Sequence, residues 1–433
     1  MISDSEILQL IREQSPWVIE REAIKLDEKV VEALERKHKL LYTFKTMGNL
    51  LIIGPRRSGK TTLLKLLAYD LIVNKKVDNR KVIYISCEPL TNHRDLIAIF
   101  RFLDRENAKY IFLDEVTFVE GWEKAVKYYL DTKLRRNKTL YITGSTTATL
   151  RKESFPGREI KIVYHLPVNF KKFVELFGSE KVRNSIGNPK KLRYFIEELN
   201  HLLIFYLECG GFPETMYQLM EEGKIKSETY EIIEKWILGD LSKLDRSIKT
   251  AYNLLRGIVK RYGAKYSLNS IAKEFDIKTH KTVGEYLETL ENLLVIRQVF
   301  QADPTKKTVL PRKERKTYFT DPLLYNLFSK KLLFKTPTAE DTPKKVEGVI
   351  GEHLFREKGE AYYCYTNKET DFILLKEQVG IEVKWQDQVT EKDFENPHLF
   401  KKRILISKKT LKEGKTKIVP ASIFLLTYPK LLQ

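Results

Sequence analysis

Leu50-Leu51-Ile52-Ile53-Gly54-Pro55-Arg56-Arg57-Ser58-Gly59-Lys60-Thr61-Thr62 is the stretch on which the reading of this chain turns. Four apolar residues read as a buried strand. The spacing Gly54-x-x-x-x-Gly59-Lys60-Thr61 follows, and the run Thr62-Leu63-Leu64-Lys65-Leu66-Leu67 reads as a helix. Strand, glycine-bounded loop and helix in that order make a P-loop. The glycines let the backbone wrap closely around a phosphate. Successive backbone N–H groups and the helix N-terminus then supply the anion site. Gly54, Pro55, Arg56, Arg57, Ser58, Gly59, Lys60, Thr61 and Thr62 are therefore expected to hold ATP or ADP. Lys60 would reach the β- and γ-phosphates, and Thr61 would offer its hydroxyl to Mg²⁺.

Working outward, Val82-Ile83-Tyr84-Ile85, Ile111-Phe112-Leu113 and Leu140-Tyr141-Ile142 are further unbroken apolar runs. Strands covered on both faces of a parallel sheet read this way. With helical stretches between them they predict an α/β domain. Asp114-Glu115 ends the third strand, a Walker B arrangement. Asp114 would hold Mg²⁺ with Thr61, and Glu115 would activate the attacking water. An acid directly after the metal-binding Asp suits hydrolysis, whereas a kinase would need a hydroxyl-positioning loop. Thr143-Gly144-Ser145-Thr146 ends the fourth strand, and Ser145 is the expected sensor of the γ-phosphate. Arg158, in Phe155-Pro156-Gly157-Arg158, is a candidate arginine finger, acting in its own chain or on a neighbouring copy.

These motifs, with Gly210-Gly211-Phe212-Pro213-Glu214, Tyr318-Phe319-Thr320-Asp321, Thr370-Asp371-Phe372 and Glu382-Val383-Lys384, occur in a set order. In that order the chain resembles the AAA+-type ATPases of archaea and bacteria that join a P-loop core to a C-terminal PD-(D/E)xK nuclease-like domain. The resemblance implies an ATPase core over 1–178 and a helical lid over 179–247. It further implies a winged helix over 248–334 and a small α/β nuclease-like domain over 335–433.

The residues of the last two segments can also be read directly. Leu268 to Phe275 reads as a helix, Asp276-Ile277-Lys278 as a turn, and Thr279 as the cap of a second helix through Val283, Tyr286, Leu287 and Leu290. A strand, Leu294 to Phe300, follows, which completes a winged-helix layout. Lys278, His280 and Lys281 would face a groove. Lys306, Lys307, Arg312, Lys313, Arg315 and Lys316 lie between the wing strands. From Lys249 to Lys335 there are 18 basic and 8 acidic residues, a net +10 out of +19 for the 433-residue chain. Charge clustered on a groove-reading fold suits phosphate contacts, without evident base specificity. A Lys- and Glu-rich surface is the plainer account of the same charge.

Lys335 to Lys345, with Thr336-Pro337 and Thr342-Pro343, reads as a linker. Beyond it, a hairpin turning at Glu377-Gln378 would set Asp371 across from Lys384. Residues opposed or two apart share a face, so Asp371, Glu382 and Lys384 would converge as a second metal site. Glu352 on the preceding helix is the expected extra ligand, with Glu347 a weaker one.

Cys87, Cys209 and Cys364 are too few and too scattered for a disulfide framework or a metal site. The acidic N-terminus, Met1 to Glu6, is unlike a signal peptide. No apolar run is long enough for a membrane span, so the expectation is a cytoplasmic protein. Trp17 reads as core. The leading reading is an ATP-hydrolysing AAA+ ATPase acting on duplex or branched DNA, as a ring or other homo-oligomer. Two alternatives stay open: a nucleotide-gated protein-interaction module, and an ATP-dependent Mg²⁺ nuclease.

Overall fold

The computed structural model describes residues 2–36, 48–145 and 155–429. The chain divides into two compact units, Met1–Leu166 and Pro167–Gln433.

In the first unit, α1 (Asp4–Gln14) starts with a reciprocal cap between Ser3 and Glu6, and α2 (Glu28–Glu35) is capped by Asp27. Then come β1 (Asn49–Ile53), α3 (Lys60–Tyr69), β2 (Val82–Ser86), α4 (His93–Arg105) and β3 (Tyr110–Asp114). α5 (Trp122–Asp131), β4 (Thr139–Gly144) and β5 (Ile160–Tyr164) complete it. All four strands expected from apolar runs are present. The five strands are parallel in the order β2-β3-β4-β1-β5. That order puts β4 between the phosphate-loop strand and the acidic strand, so the ends of β1, β4 and β3 lie side by side. Trp17 is fully buried and donates its Nε1–H to the Val82 carbonyl at 2.8 Å, a core role as expected.

The second unit begins with α6 (Phe170–Phe177), α7 (Glu180–Arg183), α8 (Pro189–Leu192), α9 (Ile196–Cys209), α10 (Pro213–Glu222) and α11 (Ser227–Lys243). Next are α12 (Ile248–Lys260), α13 (Leu268–Glu274), α14 (His280–Asn292), β6 (Ile296–Phe300), β7 (Ala302–Asp303), β8 (Thr308–Val309) and β9 (Arg315–Phe319). Thr279 caps α14, accepting from the Thr282 N–H. β6 pairs antiparallel with β9, and β7 with β8. α15 (Pro322–Leu333) and α16 (Thr342–Lys358) lead into a mixed sheet. Its strands are β10 (Tyr362–Tyr365), β11 (Glu369–Leu374), β12 (Val379–Val383), β13 (Lys402–Ser407) and β14 (Lys417–Pro420), in that spatial order, followed by α17 (Ala421–Thr427).

Two expectations about boundaries change. The first unit ends at Leu166 instead of 178, because α6 buries Phe170, Phe173 and Val174 against Tyr206 of α9. The three segments expected after 178 share one apolar core, which runs from Phe170 to Tyr428. The linker expected at 335–345 is ordered as well. Thr338 and Asp341 cap each other reciprocally, and α16 starts at Thr342.

Asp321 ties this core together. Its buried carboxylate caps α15 by accepting the Leu323 N–H at 2.9 Å, and it accepts the Gly211 N–H at 2.8 Å. The close approach explains Gly210-Gly211: a Cβ on Gly210 would lie 1.9 Å from Asp321 Oδ1, and one on Gly211 2.0 Å from the Val168 carbonyl. Burial pushes the Asp321 carboxyl up to about 6. Asp321→Ala leaves two backbone donors unpaired, and we expect a loss of about 3 kcal/mol in urea unfolding of the full chain. A loss below about 1 kcal/mol would show that the two N–H groups find other partners.

Candidate functional site

The phosphate loop links the end of β1 to the start of α3, and its shape needs unusual backbone. Arg57 has φ 62° and Gly59 has φ 94°. A Cβ on Gly54 would lie 2.0 Å from the His165 carbonyl, so only glycine fits there. His165, just past β5, holds the loop from beneath: its N–H bonds the Ile53 carbonyl at 2.7 Å, and its Nε2 meets the Ser58 carbonyl at 2.9 Å. Arg56 stacks over the Phe118 ring at 5.2 Å. Ser58 is buried with its hydroxyl unpartnered.

Lys60 is 3% exposed. Its ammonium donates to the carbonyls of Gly54 at 3.0 Å and Pro55 at 3.1 Å, and lies 3.2 Å from Glu115 Oε1. Thr61 donates its hydroxyl to Asp114 Oδ2 at 2.6 Å. The structure thus brings Lys60, Thr61, Asp114 and Glu115 into one cluster. Thr62 lies in the first turn of α3.

Asp114 is the centre of that cluster. Besides Thr61, its carboxylate accepts from the Tyr84 hydroxyl of β2 at 2.8 Å and from the Thr143 hydroxyl of β4. Burial, and then Asp114 itself, push the Tyr84 hydroxyl far above its ordinary pKa. Thr143 Oγ1 also accepts the Glu115 N–H at 2.8 Å. Glu115 has left-handed backbone, φ 52°, which turns its carboxylate back toward Lys60; its Oε2 is buried without a partner.

Tyr84, Thr143 and His165 were not among the expected site residues. Thr143 had a visible signal, a hydroxyl residue at the end of the strand beside the acidic one. From that strand end Thr143 bonds Asp114 and the Glu115 N–H, while Ser145 lies buried two residues beyond. Thr146 lies outside the described residues. Tyr84 and His165 had no local signal, because sheet order alone brings them in.

Arg158 is placed differently from the expectation of a role in its own chain. It precedes β5 at the end of the sheet where Asn49 pairs with Ile160, about 15 Å along β1 from the phosphate loop. There it grips both carboxylate oxygens of Asp131, at 2.9 and 2.7 Å.

Of the residues expected to meet DNA, Lys278, His280, Lys281, Lys306, Lys307, Arg312 and Lys313 are exposed. Arg315 is half-buried, donating to Gln298 at 2.9 Å and to the Pro311 carbonyl at 3.2 Å. Lys316 is 1% exposed and cannot reach a polyanion. Strand alternation in β9 turns it inward, onto Glu347, Glu369 and Asp371.

The expected second metal site is also rearranged. The β11–β12 loop has four residues, and Phe372 pairs with Ile381, so Asp371 faces Glu382 instead of Lys384. Glu352 is held by Arg297 at 3.2 Å and Arg356 at 3.0 Å, while Glu347, one turn and a little earlier on α16, is the residue that joins Asp371 around Lys316. Among the described residues, no group of three or more His, Cys, Asp or Glu side chains is arranged to hold a metal ion. The three cysteines are free and buried. No described helix is long and apolar enough to cross a membrane.

The strand, glycine-bounded loop and helix of this site lie within residues 47–174, which match the family model described as "AAA domain". Residues 200–332 match a model described as a domain of unknown function. An uncharacterized protein of Methanocaldococcus jannaschii is 28% identical over 261 residues, covering 57% of this chain and 55% of that protein, about half its length. An uncharacterized protein of Haemophilus influenzae is 23% identical over 382 residues, covering 83% of this chain and 88% of that one. Among solved structures, the Aeropyrum pernix ORC1 protein in complex with DNA is 14% identical with a TM-score of 0.30, covering 73% of this chain and 97% of that one. The Thermotoga maritima RuvB Holliday junction branch migration motor is 17% identical with a TM-score of 0.29, covering 73% and 94%. At these TM-scores neither likeness bears on what this chain does.

Thr143→Val removes a donor to Asp114 and the acceptor for the Glu115 N–H while keeping the shape. If the site hydrolyses ATP, turnover should fall roughly 10- to 100-fold with nucleotide affinity changed less than about threefold. Equal losses in both would make Thr143 a binding residue only.

His165 gives a second test. Burial first, and the Lys60 ammonium second, push its pKa down to about 4 from 6.5. Its folded pKa is depressed, so the unfolded chain takes the proton first. Stability from this group is intact above pH 6.5 and falls as pH drops toward 4, by about 3 kcal/mol in all. His165→Gln should flatten the acid limb of urea stability between pH 7 and 4.5; an unchanged slope would place the titration elsewhere.

Proposed function

We propose that this chain is an ATPase that binds DNA through the exposed basic residues of its second unit. The observation that carries the ATPase reading is the cluster of Lys60, Thr61, Asp114 and Glu115 around a glycine-bounded loop. Thr61 and Asp114 would hold Mg²⁺, their oxygens already converging at 2.6 Å. Mg²⁺ supplies charge neutralisation at the β- and γ-phosphates. Lys60 rests on Glu115. A γ-phosphate draws that ammonium to itself and releases the Glu115 carboxylate to accept a proton from water. The Thr143 hydroxyl fixes the Glu115 backbone during that exchange.

Helices α13 and α14, strands β6 and β9 and the β7–β8 hairpin support a winged-helix reading of that part of the second unit. Lys306 and Lys307 sit between β7 and β8, and Arg312 and Lys313 just before β9, all exposed. They suit phosphate contacts to duplex or branched DNA. In a ring of copies, Arg158 would serve a neighbour's γ-phosphate after leaving Asp131.

One experiment tests both halves: ATPase rate and DNA retention measured on single-stranded, duplex, forked and four-way DNA. Lys60→Ala and Glu115→Gln should each lower turnover at least about 100-fold, with Glu115→Gln still binding ATP. Charge reversal of Lys306, Lys307, Arg312 and Lys313 should abolish DNA retention and leave basal turnover intact. Full turnover in both site variants would remove the ATPase reading. Undiminished retention in the variant would take the DNA contact away from these residues, and no retention by the parent chain would remove the DNA reading and favour a protein partner.

A further inference from the structure

Lys316 is the least exposed basic side chain of the segment expected to meet DNA, and what surrounds it is unusual. Its ammonium lies 2.6 Å from Glu369 Oε1, 3.1 Å from Glu347 Oε1 and 3.4 Å from Asp371 Oδ1. An ammonium has three donors, and three carboxylates from two elements meet it. Glu347 comes from α16; Glu369 and Asp371 share one face of β11, two residues apart. The ring of Tyr318, two residues along β9, packs against Phe372, and its hydroxyl donates to the same Glu347 oxygen. Glu382, facing Asp371 from β12, is 1% exposed and has one carboxyl oxygen without any partner.

Four carboxyl groups in such a small volume cannot all stay charged without a cation. The nuclease-like resemblance implies that a divalent metal supplies it. The residues do not fit that expectation: no metal-holding group exists among the described residues, and the centre of the carboxylates is filled by an ammonium. Burial works against the charge of Lys316, yet Glu347, Asp371 and Glu369 outweigh it and hold its pKa well above the ordinary value. Burial, and then Asp371, push the Glu382 carboxyl up to about 9, so it is protonated at neutral pH.

We infer that Lys316 is a tethered cation standing in place of a divalent metal, which clamps β9 to α16 and β11 and keeps the carboxyl groups of Glu347, Glu369, Asp371 and Glu382 metal-free. The inference does not depend on the ATPase reading. It predicts that the D…ExK sequence pattern carries no metal-dependent cleavage here, because the position that a metal would need is taken by the chain's own side chain. It also predicts a latent property. With the ammonium removed, the same carboxylates should accept a divalent cation, which oxygen ligands of this kind favour.

Mn²⁺ titration of the nucleotide-free full chain, followed by electron paramagnetic resonance, tests this. Any weak Mn²⁺ binding at Thr61 and Asp114 is common to all variants and subtracts. Lys316→Ala and Lys316→Met should each gain a Mn²⁺ site at least about tenfold tighter than anything in the parent chain. Lys316→Ala/Asp371→Asn should lose it, and Lys316→Arg, which keeps the positive charge, should never gain it. If the neutral variants are unstable, Mn²⁺ should raise their thermal midpoint selectively. The inference is overturned if the parent chain already binds Mn²⁺ in an Asp371-dependent way. It is equally overturned if folded neutral variants take no Mn²⁺, or if unfolded ones are not rescued by it.

Discussion

The carboxylate of Asp114 is the group on which the candidate site depends. It is buried at the end of β3 and is satisfied by three hydroxyls, from Thr61, Tyr84 and Thr143. A buried carboxylate without partners would be expensive, so these three donors are what allow it to stay there. Each comes from a different element, α3, β2 and β4, and the order β2-β3-β4-β1 delivers all three. With β4 inserted between β1 and β3, Thr143 reaches both Asp114 and the backbone of Glu115. The arrangement of the candidate site is therefore a consequence of strand order as much as of motif.

Sequence legibility divides along the same line. The phosphate loop, the acidic strand end and four strands were readable because each is a local pattern: apolar continuity, glycine spacing, a cap at Thr279. Thr143 was visible as a polar strand end, and the choice between it and Ser145 depended on which side chain points to β3. Tyr84 and His165 were unreadable, since nothing near them in sequence marks a contact made through sheet order. In the second unit the D…ExK pattern was legible, but its register was not. A four-residue turn in place of a two-residue one moves the partner of Asp371 from Lys384 to Glu382. Because both alternatives keep Asp371 on the same face, hydrophobic alternation could not choose between them.

Lys316 shows a different limit. In the sequence it is one of six basic residues between Lys306 and Lys316, and composition treats them alike. Alternation in β9 separates them: Arg315 stays half-buried at the rim while Lys316 turns inward beneath Tyr363, 5.8 Å from its ring. The basic charge of the segment is thus partly a surface property and partly an internal counter-ion. Net charge alone cannot distinguish the two, because burial of a lysine requires acidic partners that lie 31 to 55 residues away in the chain, at Glu347 and Asp371.

The two buried acidic centres solve the same electrostatic problem in opposite ways. Around Asp114 the partners are neutral hydroxyls, and Lys60 is held by two carbonyls and a single carboxylate oxygen. Neutral donors leave most of the carboxylate's charge uncompensated, so the centre retains an appetite for a cation, and Lys60 can exchange Glu115 for a more highly charged phosphate. Around Asp371 the partner is a full positive charge that is part of the backbone's own strand. It offsets part of the cluster's negative charge and, being tethered, cannot diffuse away. A site meant to cycle needs exchangeable partners; a site that only holds elements together is better served by a tethered one. On that physical ground the first centre suits an exchange of partners and the second suits fixation, although both present the same kinds of residue in sequence.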